Sequence, residues 1–138
     1  MSQSAYIKFV QGSVVDKLDV AGIKNQLVHY CEQTALTGSQ LDWNYAEAAF
    51  PYTIEEKQDD RWFYLKGINP LYKHILFGPS MAASVSGSVV PCIQVVVPDE
   101  ATHGDKAKAN ELCKYIAGRL KAELTMFNGR TIYFNPRK

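Results

Sequence analysis

The sequence reads as an α+β protein, a two-layer sandwich in which a mostly antiparallel sheet carries two long helices on one face. Three observations lead there. Asp19 to Leu36 and Asp105 to Leu124 place apolar residues at helical spacing. Short runs that alternate apolar and polar residues lie before, between and after them. The resulting order is strand, helix, short helix, strands, helix, strand, with no fixed-period repeat to suggest a solenoid or propeller. At 138 residues the chain is expected to form a single compact domain, residues 1–138, large enough for its own core.

Taken in order, Tyr6 to Val10 alternates and reads as a strand ended by Gly12-Ser13. In the first long helix Val20, Ile23, Leu27, Tyr30, Cys31 and Thr34 share a stripe; Asp19 is placed to cap its start and Gly38 its end. A short helix is expected over Trp43 to Phe50, stopped by Pro51. Tyr52 to Glu56 reads as a strand, Glu55 to Asp60 as a polar turn, and the aromatic run Arg61 to Lys66 as another strand. A helical turn is expected within Gly67 to Gly78, and a Gly/Ser-rich loop over Pro79 to Ser88. Ile93 to Val97 is the most buried-looking strand and ends at Pro98. The second long helix has the stripe Ala109, Leu112, Cys113, Ile116, Leu120 and Leu124, with Asp105 as its expected cap. Asn128-Gly129 signals a turn into a closing strand, Thr131 to Phe134.

Composition narrows the class of function. Hydrophobic residues make up 46% and charged residues 21%, too apolar for a disordered chain. The formal charge of +1 supplies no field that would recruit nucleic acid or anionic lipid. The longest apolar runs, such as Val89 to Val97, fall far short of the roughly 20 residues of a spanning helix, so no membrane partner is expected. Met1 to Lys8 lacks the basic-then-apolar pattern of a signal peptide, and three cysteines (Cys31, Cys92, Cys113) make no disulfide framework. A cytoplasmic location is expected.

Helices on one side leave the other face of the sheet to be explained. The more apolar alternating set, taken as inward, is Ile7, Phe9, Phe63, Leu65, Ile93, Val95, Val97, Ile132 and Phe134. The outward set includes Tyr6, Lys8, Trp62, Tyr64, Lys66, Gln94, Val96 and Tyr133, aromatic and basic with hardly any acid. Tyr6, Lys8, Trp62, Tyr64, Lys66 and Tyr133 form the candidate binding surface. Three occupants compete for it: the middle segment through Trp43, Phe50 or Ile75; a second copy in a homodimer or another protein partner; or single-stranded nucleic acid stacking on the aromatics. The last would use Lys8, Lys66, Arg130, Arg137 and Lys138 for phosphates. It is the less favoured reading, since the aromatic-glycine strand signature of RNA-binding sheets is missing. On the second helix Tyr115, Gly118 and Ala122 lie well away from the apolar stripe, and small residues beside a tyrosine suggest a second packing neighbour, a candidate interface.

Motifs of catalysis and metal binding are not found: there is no H-E-x-x-H, G-x-S-x-G, G-K-[ST] or G-x-G-x-x-G. No catalytic residue, metal ligand or cofactor is assigned, and the reading leans away from an enzyme. A small-ligand or enzyme site, if there is one, would gather His74, His103 and the Gly78-Ser88 loop, with His103 beside a helix start where an anion could bind. The acidic run Glu55, Glu56, Asp59 and Asp60 is better explained by a polar turn than by an acid/base pair.

Three blocks carry a family likeness: Ser-Ala-Tyr-Ile-Lys-Phe-Val from Ser4, Gln-Leu-Asp-Trp-Asn-Tyr-Ala-Glu-Ala-Ala-Phe-Pro-Tyr from Gln40, and Arg-Thr-Ile-Tyr-Phe-Asn-Pro from Arg130. Together they resemble a family of small uncharacterised proteins from spore-forming Gram-positive bacteria, a domain of unknown function occupying essentially the whole chain. The resemblance implies one α+β domain in the cytoplasm; it implies no activity and carries over no catalytic residue.

Overall fold

The computed structural model describes residues 3–41, 52–56, 62–67, 72–84, 87–99 and 101–134. They form β1 (Gln3–Lys8), α1 (Val20–Leu41), β2 (Tyr52–Glu56), β3 (Phe63–Gly67), β4 (His74–Ala83), β5 (Val89–Val97), α2 (His103–Leu120), β6 (Glu123–Thr125) and β7 (Thr131–Tyr133). The strands make one seven-stranded sheet in the order β2-β3-β4-β5-β1-β6-β7, and every pairing is antiparallel. The expected α+β class is what the chain adopts.

The sheet's inner face carries Ala5, Ile7, Phe63, Leu65, Ile75, Phe77, Ile93, Val95, Val97 and Leu124, all buried. Against it pack Ile23, Leu27 and Tyr30 of α1 and Ala109, Leu112, Cys113, Ile116, Ala117 and Leu120 of α2, in one continuous core. The helices touch each other, α1 lying over β4 and α2 over β4, β5, β1 and β6. Phe63 and Phe77, opposite each other on β3 and β4, stack at 5.6 Å between ring centres. Ile132 and Phe134, expected inside, are only half-buried at the sheet's edge.

Several boundaries differ from the sequence reading. β1 starts at Gln3, because the opposing strand continues to Val97 and supplies it with partners. The Asp19 carboxylate accepts from the Gly22 amide at 2.8 Å, as a cap should, but α1 continues through Gly38 to Leu41. The short helix expected over Trp43 to Phe50 lies outside the described residues. The largest correction is the region after Gly67: His74 to Ala83 is a ten-residue strand, not a helical turn followed by a loop. It pairs with β5 from Leu76↔Val96 to Ala83↔Val89 in one long hairpin. Pro79 is tolerated there because β3 accompanies β4 only as far as Phe77, so no amide is needed on that side.

At α2 the N-cap is Thr102, not Asp105. Thr102 Oγ1 accepts from the Asp105 amide at 3.1 Å, and the Asp105 carboxylate accepts in return from the Thr102 amide at 3.1 Å, a complete capping box. The helix ends at Leu120, four residues earlier than its apolar stripe suggests. Lys121 takes a left-handed conformation (φ 52°, ψ 51°) and its amide bonds the Ala117 carbonyl. Leu124, the last member of the stripe, therefore faces the core from β6, a strand the sequence reading did not contain. Gly129, at φ 85°, closes the β6–β7 hairpin at the expected Asn-Gly turn.

Candidate functional site

The face turned away from the helices can be built row by row, since residues opposite each other in antiparallel strands share a face. Glu55, Tyr64, Leu76, Val96 and Ser4 make one row; Gly78, Gln94, Tyr6, Thr125 and Thr131 make the next. Lys66 stands opposite His74 near one end, and the His74 ring packs edge-on to Tyr64 at 5.3 Å. Gln94 Nε2 donates to Ser4 Oγ at 3.2 Å. Tyr6, Tyr64, Leu76, Gln94 and Val96 are half-buried and Lys66 is exposed. Neither helix lies on this side.

A third row differs in kind. It runs Ser80, Cys92, Lys8, Glu123, Tyr133. Lys8 is only 8% exposed and Glu123 only 5%. The Lys8 ammonium lies 3.8 Å from the Glu123 carboxylate and donates to the Ala83 carbonyl, at the end of β4, at 2.6 Å. Burial pushes the Cys92 thiol up to about 11, with the Lys8 charge pulling the other way. A buried ammonium is tolerated when it is both paired and hydrogen-bonded, and Lys8 has each kind of partner. It ties β1 to β6 and to the tip of the β4–β5 hairpin.

Of the six residues expected on the binding face, Tyr6 and Tyr64 thus sit in adjacent rows with Lys66 beside them. Lys8 is on the same face but committed to internal contacts, so it is not a surface cation. Trp62, half-buried, precedes β3, whereas Tyr133, 37% exposed, is on the last strand at the other edge of the sheet. Ile75 does not cover this face: it is fully buried beneath the helices. Trp43 and Phe50 lie outside the described residues. His74 and Leu76 are absent from the expected face because the sequence predicts a helical turn and a loop where β4 runs.

The helix patch is dispersed. Tyr115 is half-buried in the seam between the helices, where its hydroxyl and His29 Nδ1 are hydrogen-bonded at 2.7 Å and the Tyr30 ring meets it edge-on at 5.1 Å. Arg119 lies over the Tyr115 ring and donates from Nε to Gln26 Oε1 at 3.1 Å. Tyr30 donates to the Glu111 carboxylate at 2.7 Å across the same seam. Gly118 is exposed beside the Phe134 ring, and a β-carbon there would rest against it at 3.7 Å. Ala122 is past the helix end and fully buried. These three do not form one surface.

His74 and His103 belong to segments that Asp105 holds together. The fully buried Asp105 carboxylate accepts from the Lys73 amide (3.0 and 2.9 Å) and from the Tyr52 hydroxyl at 2.5 Å. His103 itself is exposed at the first turn of α2, where the capping box already occupies amides that an anion would use. The expected Gly78-Ser88 loop is mostly strand, with Gly87 turning at its tip (φ 92°).

One concavity was not expected. Between α2 and the β6–β7 hairpin lies a cleft of about 340 Å³ lined by Gln3, Asn110, Lys114, Met126, Phe127, Asn128, Arg130 and Ile132. The sequence held one signal for it, the i, i+4 pair Asn110 and Lys114 on one helix face. Without β6 there was no hairpin to form the opposite wall.

Fold and surfaces define a two-layer α+β protein whose seven-stranded sheet presents a mixed aromatic and apolar face opposite its helices. Residues 3–136 match a protein family described as a domain of unknown function (DUF1885), and the chain belongs to that family. A solved structure described as a protein of unknown function from Bacillus stearothermophilus is 37% identical, with a TM-score of 0.59, over 86% of this chain and 90% of that one. The family and the kind of organism implied by the three sequence blocks are thereby borne out. Among curated proteins none matches. No described helix is long and apolar enough to cross a membrane.

Proposed function

We propose that this protein works through protein contacts made on the sheet face opposite the helices, with a second copy of the chain as the occupant. The observation that carries the reading is the row Tyr64, Leu76, Val96 with Tyr6 beside it: large side chains, half-buried, on a face that neither helix covers. Faces of this composition, aromatic and aliphatic at the centre with polar groups around, suit a two-fold interface in which the same patch serves both partners.

Two features favour a protein over nucleic acid here. Lys8 is buried against Glu123, which leaves Lys66 as the exposed cation among the described strand residues of this face. The near-zero formal charge adds no long-range attraction for phosphate.

Molar mass by light scattering across a dilution series tests it. The expected value is twice the 15.5 kDa chain mass, falling to the single-chain value when Val96 and Tyr64 are each replaced by Lys. A single-chain mass at every concentration would overturn the proposal.

A further inference from the structure

The cleft between α2 and the β6–β7 hairpin lies on the helix side of the sheet, away from the face just discussed, and has its own chemistry. Its lining holds two cations, Lys114 and Arg130, and no carboxylate. Neither cationic side chain has an ion pair or a side-chain hydrogen bond among the described residues. The nearby acid on the same helix, Glu111, is already engaged by Lys108 at 2.5 Å and by Tyr30. An anion entering the cleft meets two cations and no competing carboxylate in the described lining.

The remaining lining says what kind of anion. Gln3, Asn110 and Asn128 contribute carboxamides. Asn128 Oδ1 is occupied by the Arg130 amide at 3.0 Å, which leaves the Asn128 amino group as a donor. Donors therefore predominate among the polar groups. Met126 is nearly buried, while Phe127 and Ile132 are half-buried, so the cleft also has an apolar lining. The volume of about 340 Å³ falls at the small end of ligand pockets and suits a single ring or a short chain. We infer that this cleft binds a small organic anion, a carboxylate or phosphate monoester with an apolar body, its charged group held by Arg130 and Lys114 and its body against Met126, Phe127 and Ile132. Arg130 offers the fork that pairs with two oxygens at once, and Lys114 adds a point charge.

The hairpin fixes the Arg130 backbone. Its carbonyl accepts from the Met126 amide at 2.7 Å, and Gly129 donates to the Met126 carbonyl at 2.9 Å. On the other wall, Asn110 and Lys114 are one turn apart on α2, whose start and end are both capped. Both walls are thus held in place before any ligand arrives, which lowers the ordering cost of binding.

The test is a ¹H–¹⁵N NMR titration of the full chain with phenyl phosphate, benzoate and inorganic phosphate. Saturable shifts are expected at Asn110, Lys114, Asn128, Gly129 and Arg130 with phenyl phosphate or benzoate, and the tighter of the two identifies the anionic group. Lys114→Met and Arg130→Met, both at exposed positions, should each weaken that binding by about tenfold, as expected for loss of a charge-assisted hydrogen bond. Absence of saturable shifts with both organic anions, shifts centred elsewhere, or unchanged affinity in both variants would overturn the inference. Inorganic phosphate binding as tightly as phenyl phosphate would overturn the assignment to an anion with an apolar body.

Discussion

A carboxylate removed from water must have its lone pairs filled, and Asp105 fills them from three separate pieces of chain: Thr102 at the head of α2, Lys73 just before β4, and Tyr52 on the edge strand β2. The Tyr52 hydroxyl is correspondingly held far above its usual range by burial, then by its bond to Asp105. Replacing Tyr52 with Phe removes one hydrogen bond to a charged acceptor and should lower stability by about 1.5–3 kcal/mol. Asp105→Ala strips the acceptor from Lys73 as well and should cost more than Tyr52→Phe. Urea unfolding monitored by fluorescence measures both; equal midpoints for Tyr52→Phe and the parent would mean that the bond contributes nothing. Sequence inspection gave Asp105 a capping role and the right neighbourhood, but not its tertiary partners, which come from residues 32 and 53 positions away. Lys8 shows the same limit. Alternation placed it on the outer face correctly, yet its burial depends on Ala83, 75 residues distant, and no local pattern encodes that.

Among the elements, the two long helices were legible because a stripe of apolar residues every three or four positions is a strong one-dimensional signal. Their ends were less so. α2 stops where Lys121 turns left-handed, a position at which glycine is the usual marker. With a lysine there, the stripe ran on unbroken to Leu124. Lys121→Gly should therefore stabilise the protein by about 1 kcal/mol, since a β-carbon is disfavoured at this φ. Thr102→Ala at the other end should destabilise it by about 1 kcal/mol through loss of the cap. Thermal melts of the two variants should move in opposite directions, and a shared direction would refute this account of the helix ends. The β4–β5 hairpin carries little local signal for a related reason. Gly78, Pro79, Ser80, Met81, Ala82 and Ala83 have weak strand preference taken alone, and the pairing with Val89 to Val96 holds them extended.

At the scale of the molecule, the sheet's two edges bear on how copies could meet. One edge, β2, carries Glu55 and Glu56, and the other, β7, is three residues long. Charged and very short edge strands discourage edge-to-edge pairing, which leaves the broad face as the better route to self-association. Alternation alone places Tyr6, Tyr64, Lys66 and Val96 on the candidate face but not Leu76 or His74, whose strand it does not reveal; the anion cleft is not readable at all, because it needs β6, Gln3 of β1 and α2 brought together in space. The long-range character of the pairings also sets an expectation for folding. Loss of far-ultraviolet circular dichroism and of tryptophan fluorescence should coincide in one transition, with refolding in roughly milliseconds to seconds, as for sheets dominated by distant contacts. Non-coincident transitions would show that the two helices and the sheet do not unfold together.

The position of β1 has a consequence for how the protein is made. On the ribosome, Gln3 to Lys8 is translated well before either of its neighbours, yet its place in the sheet is between Cys92 to Val97 and Glu123 to Thr125. The strand therefore emerges as an orphan. Ile7 has no strand partner until Cys92 to Val97 has been made, and β1 is paired on both sides only after Glu123 to Thr125 has followed, which leaves a defined segment for chaperones to shield in the interval.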